Sequence, residues 1–93
     1  MKKKNIIQIR KKLDKLDNKF LNLIKKRTSL VDKVLENKKF KNEIIDKKRI
    51  RIILKTIKKK SKKMNIDSKV TNKIWNSMIK AYIDYEFRNF KRK

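Results

Sequence analysis

The stretch "IIQIRKKLDKLDNKFLNLIKKRTSLVDKVLENK", Ile6 to Lys38, decides how this chain folds. Within it Ile6, Leu13, Leu16, Phe20, Leu23, Leu30 and Val34 follow one another at steps of three, four or seven residues, one face of a continuous helix. Three beats of the stripe are not apolar. Arg10, Arg27 and Lys38 stand where the next apolar residue belongs. A helix of about 33 residues rises about 50 Å, whereas a compact domain of about 100 residues has a radius of gyration of about 13 Å. One chain cannot cover such a rod with its own remainder. The stripe calls for a second copy, and an intertwined helical homodimer is the economical arrangement.

Beyond the stripe, "KKFKNEIID" loses the helical beat and reads as a connecting loop, after which Asp46 can cap a second helix carrying Ile50, Ile53, Leu54 and Ile57. That helix fades into "KKKSKKMN". A third starts near "IDSKV", with Asp67 or Ser68 as its N-cap, and runs through Val70, Ile74, Trp75, Met78, Ile79, Tyr82, Ile83 and Phe87. The expectation is an all-α fold of three helices, long, short and medium, in a single domain spanning residues 1–93. No repeat or linker interrupts it.

With 93 residues the chain is near the size at which one core supports a fold unaided. Lys and Arg number 32 against 9 acids, a net charge of +23, which attracts polyanions. The lysines are dispersed, and Asn and Ile are abundant too, so an AT-rich coding bias also accounts for the composition. A nucleic-acid-binding dimer would use the outer lysines and give Arg10, Arg27 and Lys38 no reason to face inward; nucleic acid is therefore not the expected partner. Absence of Cys and His excludes disulfides, thiol chemistry, the usual zinc sites and His-based triads, and absence of Gly excludes a Gly-rich phosphate loop. The basic N-terminal stretch has no long apolar run and no small-residue cleavage site, so no membrane partner and a cytoplasmic location are expected.

A cation in a buried stripe needs an anion. Arg10 has Asp14 and Asp17 nearby on its own helix, which allows an intrahelical pair. For Arg27 the nearest acid is Asp32, at an unfavourable spacing of five residues. Lys38 falls at the expected helix end, where it can also favour the helix dipole. Together the three make a pocket for an anionic small molecule, and the Arg fork suits bidentate carboxylate binding. Arg49, three residues after Asp46, either edges the buried face of the second helix with Asp46 orienting it or lies on a solvated face. Glu86 is the reverse anomaly, an acid on the apolar face of the third helix, four residues after Tyr82. It pairs with a surface lysine, with Arg27 or with Lys38, and its protonation decides whether it donates a hydrogen bond or only accepts one.

These residues resemble the all-helical (AroQ-type) chorismate mutases, small intertwined dimers of three helices. The resemblance rests on "IRKKLDKLDNKFLNLIKKR", then Lys38, then "DKKR" (46–49), then the register of the third helix to Glu86. It implies that Arg27 of one subunit and Arg10 of the other clamp the two carboxylates of chorismate, that Lys38 hydrogen-bonds the ether oxygen of the breaking C–O bond, and that Arg49 lines the pocket. No cofactor is implied. Three positions depart from the common pattern: Ile50 where many members have Glu, Tyr82 where Ser is frequent, and Glu86 where Gln commonly donates, a role Glu86 fills only when protonated. "KAYIDYEFRNFKRK" (80–93) and the apolar Ile50 are also similar to isochorismate pyruvate lyase, which implies isochorismate as substrate, with salicylate and pyruvate as products.

Overall fold

The computed structural model describes residues 2–91; Arg92 and Lys93, the end of the basic tail, lie outside the described residues, as does Met1. Three α-helices follow in order, α1 (Lys2–Glu36), α2 (Lys47–Lys63) and α3 (Ser68–Asn89), with a 3-10 turn at Lys41–Glu43 between the first two. No strand occurs among the described residues, and the all-α expectation holds.

Local chemistry sets each boundary. α1 closes through Asn37 and Lys38, whose amides donate to the Val34 and Leu35 carbonyls at 3.1 and 3.0 Å. Such bonds to the third residue back tighten a final turn, so Lys38 lies two residues beyond the helix rather than on its last beat. Asp46 caps α2 by accepting from the Arg49 amide at 3.0 Å, and Asp67 caps α3 by accepting from the Lys69 amide at 2.9 Å. At the end of α2, Ile66 N donates to Ser61 O (2.8 Å) and Asn65 N to Lys62 O (3.2 Å), with Asn65 at φ 57°. This pair of bonds is the Schellman closure, which needs a left-handed residue. A chain without glycine fills that place with Asn, which tolerates the left-handed region better than other residues with a Cβ.

The chain divides into two compact units, Met1–Lys33 and Val34–Lys93. In the first, the apolar stripe is open: Ile6, Leu13, Leu16, Phe20 and Leu23 are exposed, Leu23 by 62%. In the second, α2 packs against α3. Ile50, Ile53, Leu54 and Ile57 on α2, and Trp75, Met78, Ile79, Tyr82 and Ile83 on α3, are half-buried, while Leu35 and Ile44 are buried. A polar tie sits within this apolar layer: the buried hydroxyls of Ser61 and Thr71 meet at 2.7 Å. Each hydroxyl also reaches a carbonyl of its own helix, Ser61 Oγ that of Ile57 at 2.7 Å and Thr71 Oγ1 that of Ser68 at 3.3 Å, so either can be the donor between the two. The open end of α2 is thereby fixed to the start of α3.

Candidate active site

Lys38 and Glu86, candidate site residues far apart in sequence, meet in a close pairing. Lys38 Nζ donates to Glu86 Oε1 at 2.8 Å across 48 positions of sequence, with side-chain exposures of only 18% and 10%. Lys38 arrives on the loop just after α1, and Glu86 projects from the last turns of α3. Glu86 is buried although charged, which the ammonium beside it compensates. Of the roles open to Lys38 in the sequence, a contact with the helix dipole is replaced by this ion pair. Its helix has already ended, and its side chain is engaged elsewhere.

Lys38 also borders an open recess lined by Asn42, Glu43, Ile45, Asp46 and Lys47. Thus Lys38 and Asp46 share one surface. Asp46, however, does not orient the Arg49 guanidinium, as the sequence suggested. Its carboxylate takes the Arg49 backbone amide, a capping bond, and the Arg49 side chain is exposed. In the single chain the Arg49 guanidinium is therefore open to solvent, and the Asp46 carboxylate serves the helix amides instead. Ile50, next to it, is half-buried. Tyr82 is half-buried and meets Tyr85 edge-on, with ring centroids 6.3 Å apart at 84°. Arg10 and Arg27 lie on α1 in the first unit, both exposed. Among the described residues Arg10 forms no ion pair with Asp14 or Asp17, so the intrahelical alternative is not realised. No group of carboxylates among the described residues is placed to hold a metal ion.

Glu43 is a contributor the sequence reading passed over. Its Oε2 accepts from the Lys39 amide at 2.6 Å and from the Phe40 amide at 3.0 Å, which ties down the loop that carries Lys38. The signal was present in "FKNE", an acid three residues after the start of a helical turn, the spacing of a capping box. Those two amides, that of Phe40 first, hold the Glu43 carboxyl below the usual carboxylate range, with Lys38 and Lys39 adding to the effect. Because this carboxyl is depressed in the folded chain, its contribution is present above the ordinary carboxylate range and is lost as acidity carries it through its lowered value. Glu43→Gln should therefore speed hydrogen exchange at the Lys39 and Phe40 amides at neutral pH, and the parent should approach the variant's rate, after correction for intrinsic exchange, only in strong acid. Equal protection of those amides in parent and variant at neutral pH would rule out the tie.

Comparison with known proteins bears on the same residues. The profile of the family described as "Chorismate mutase type II" matches residues 9–87. A chorismate mutase from Methanocaldococcus jannaschii is 38% identical over 78 residues, covering 80% of this chain and 76% of that protein. No solved structure gives a significant match. Every candidate residue, from Arg10 to Glu86, falls inside the matched span. The chain belongs to the chorismate mutase type II family.

Proposed function

We propose that this chain converts chorismate to prephenate, as a homodimer in which two cationic groups of α1 hold the substrate and Lys38 acts at the bond that breaks. The observation that carries the reading is the family match over 9–87, which includes all the candidate residues. The rearrangement is pericyclic. It needs no nucleophile, metal or redox group, and the inventory of a protein without His or Cys suffices for it. What the reaction asks of the protein is to hold a dianion in its compact diaxial conformer and to stabilise negative charge as it develops on the ether oxygen.

In this proposal Arg27 of one subunit and Arg10 of its partner bind the two carboxylates, while Lys38 donates to the ether oxygen. Arg49 lines the pocket from the start of α2, with Asp46 capping that helix, and Ile50 and Tyr82 shape its wall. Glu86 has two parts to play. As a carboxylate it steadies the Lys38 ammonium, as in the ion pair, and as a carboxylic acid it is a second donor to the ether oxygen. The dimer is supported by the exposed stripe on α1, since each such Leu, Ile or Phe gains about 1.5–3 kcal/mol on full burial. Residues 1–93 act as one domain in this reading. No helix among the described residues is long and apolar enough to cross a membrane.

The elimination of pyruvate from isochorismate, suggested by the end of α3, finds no support in the comparisons, and the proposed activity is the isomerase alone. Purified protein incubated separately with chorismate and with isochorismate should form prephenate from the first and no salicylate from the second. Salicylate release without prephenate formation would overturn the assignment.

A further inference from the structure

The charge of the chain is not used up by this site, and it is not evenly spread. In α2, ten of the 17 residues are Lys or Arg and none is acidic; in α3, four of 22 are cations, alongside Asp84 and Glu86. A coding bias that writes lysine wherever a surface must be polar would treat both helices alike. The exposed face of α3 instead carries Asn72, Ser77 and Asn89.

On α2 the cations are ordered. At about 100° per residue, positions 47, 58, 51, 62, 55, 48 and 59 fall at successive steps of about 20° across a sector of about 120°. Every position in that sector is Lys or Arg, and all are exposed. The acids from Glu43 onward are engaged elsewhere: Asp46 and Asp67 cap helices, Glu43 holds the loop, Asp84 pairs with Arg88 at 3.1 Å, and Glu86 pairs with Lys38. From position 47 to 62 the stripe runs about 22 Å, one cation about every 3.7 Å. A duplex presents one phosphate per strand for about every 3.4 Å of its axis, so a charged stripe of this length faces several phosphates.

We propose that the outer face of α2 binds the phosphate backbone of nucleic acid without regard to base sequence. An anionic lipid surface fits less well. An amphipathic helix binds lipid by inserting its apolar face, and the apolar face of α2 is turned against α3. A phosphodiester backbone asks only for regularly spaced charge. Apart from Lys47, which also borders the recess beside Lys38, this surface is separate from the cations of the proposed active site, so the inference stands apart from the mutase reading.

The test is fluorescence anisotropy of the full chain with a labelled 20-base-pair duplex of arbitrary sequence between 50 and 200 mM salt. With about seven contacts, log K should fall with log salt at a slope of about −6, a loss of about 10³–10⁴ in affinity over that range. Lys55→Gln/Lys58→Gln/Lys59→Gln should flatten the slope by about 2.7, and Lys48→Gln/Arg51→Gln/Lys62→Gln should do the same. Glutamine is nearly as good a helix former as lysine, so both triples keep the fold, which circular dichroism verifies. Removal of the same charge from α1 by Lys11→Gln/Lys12→Gln/Lys15→Gln should change the slope by less than half as much. Equal losses from α1 and α2 would show that net charge rather than this face binds. That result would overturn the proposal, as would a parent chain that binds phosphatidylserine vesicles but no duplex, or neither.

Discussion

Lys38→Ala is expected to lower turnover of chorismate by about 10²–10³-fold, the usual loss when one preorganised donor to a developing oxyanion is removed. The same change also strips the partner from Glu86, which is only 7% exposed. Leaving a buried charge unpaired costs about 3–5 kcal/mol, so a drop in activity alone would not distinguish chemistry from damage. A second substitution separates them. In Lys38→Ala/Glu86→Gln the residue at 86 is neutral and no longer strands a charge, so the melting temperature should return most of the way to that of the parent. Turnover should stay low, since glutamine restores one donor and not the cation. Recovery of activity together with stability would mean that Lys38 serves the fold alone, and the role given to it at the ether oxygen would fall.

How far such a site is readable in sequence differs from residue to residue. Lys38 and Glu86 were conspicuous because each breaks a pattern, a cation on an apolar beat and an acid on an apolar face, and a broken pattern is visible without coordinates. Their meeting at 2.8 Å was one of several pairings open to Glu86, because periodicity fixes the face of a helix but not which loop lies against it. Asp46 and Asp67 were legible as caps, since the N-cap is a local device. For Arg49 the sequence left two placements open, and the cap decided one point between them: it took the carboxylate that could have oriented the side chain. The Ser61–Thr71 bond had no signal in the sequence at all. Two small hydroxyls ten residues apart, inside a lysine-rich run and at a helix start, look like surface until α2 folds back on α3. Glu43 was hidden differently, in a stretch set aside as loop because the helical beat had stopped.

Mixing two inactive variants should restore activity if the proposed dimer shares its site. Arg10→Ala and Arg27→Ala are each expected to lower kcat/KM by about 10²–10³-fold, the loss of a charged clamp worth about 3–4 kcal/mol. Both residues are exposed on α1, so neither change should unfold the chain. In a mixed dimer the chain carrying Arg10→Ala supplies an intact Arg27, and its partner supplies an intact Arg10. One of the two sites is then complete, and the other lacks both cations. Random pairing of equal amounts gives about half mixed dimers, so about one quarter of all sites are restored, far above either variant alone. The measurement is turnover after the two proteins are unfolded together and refolded, compared with the same proteins refolded separately and then combined without exchange. A site built within one chain predicts no gain in either case, because every chain then carries its own defect. A gain confined to the co-refolded sample requires both association and a composite site, and that pair of conditions is what the open apolar stripe on α1 and its interrupting arginines jointly propose.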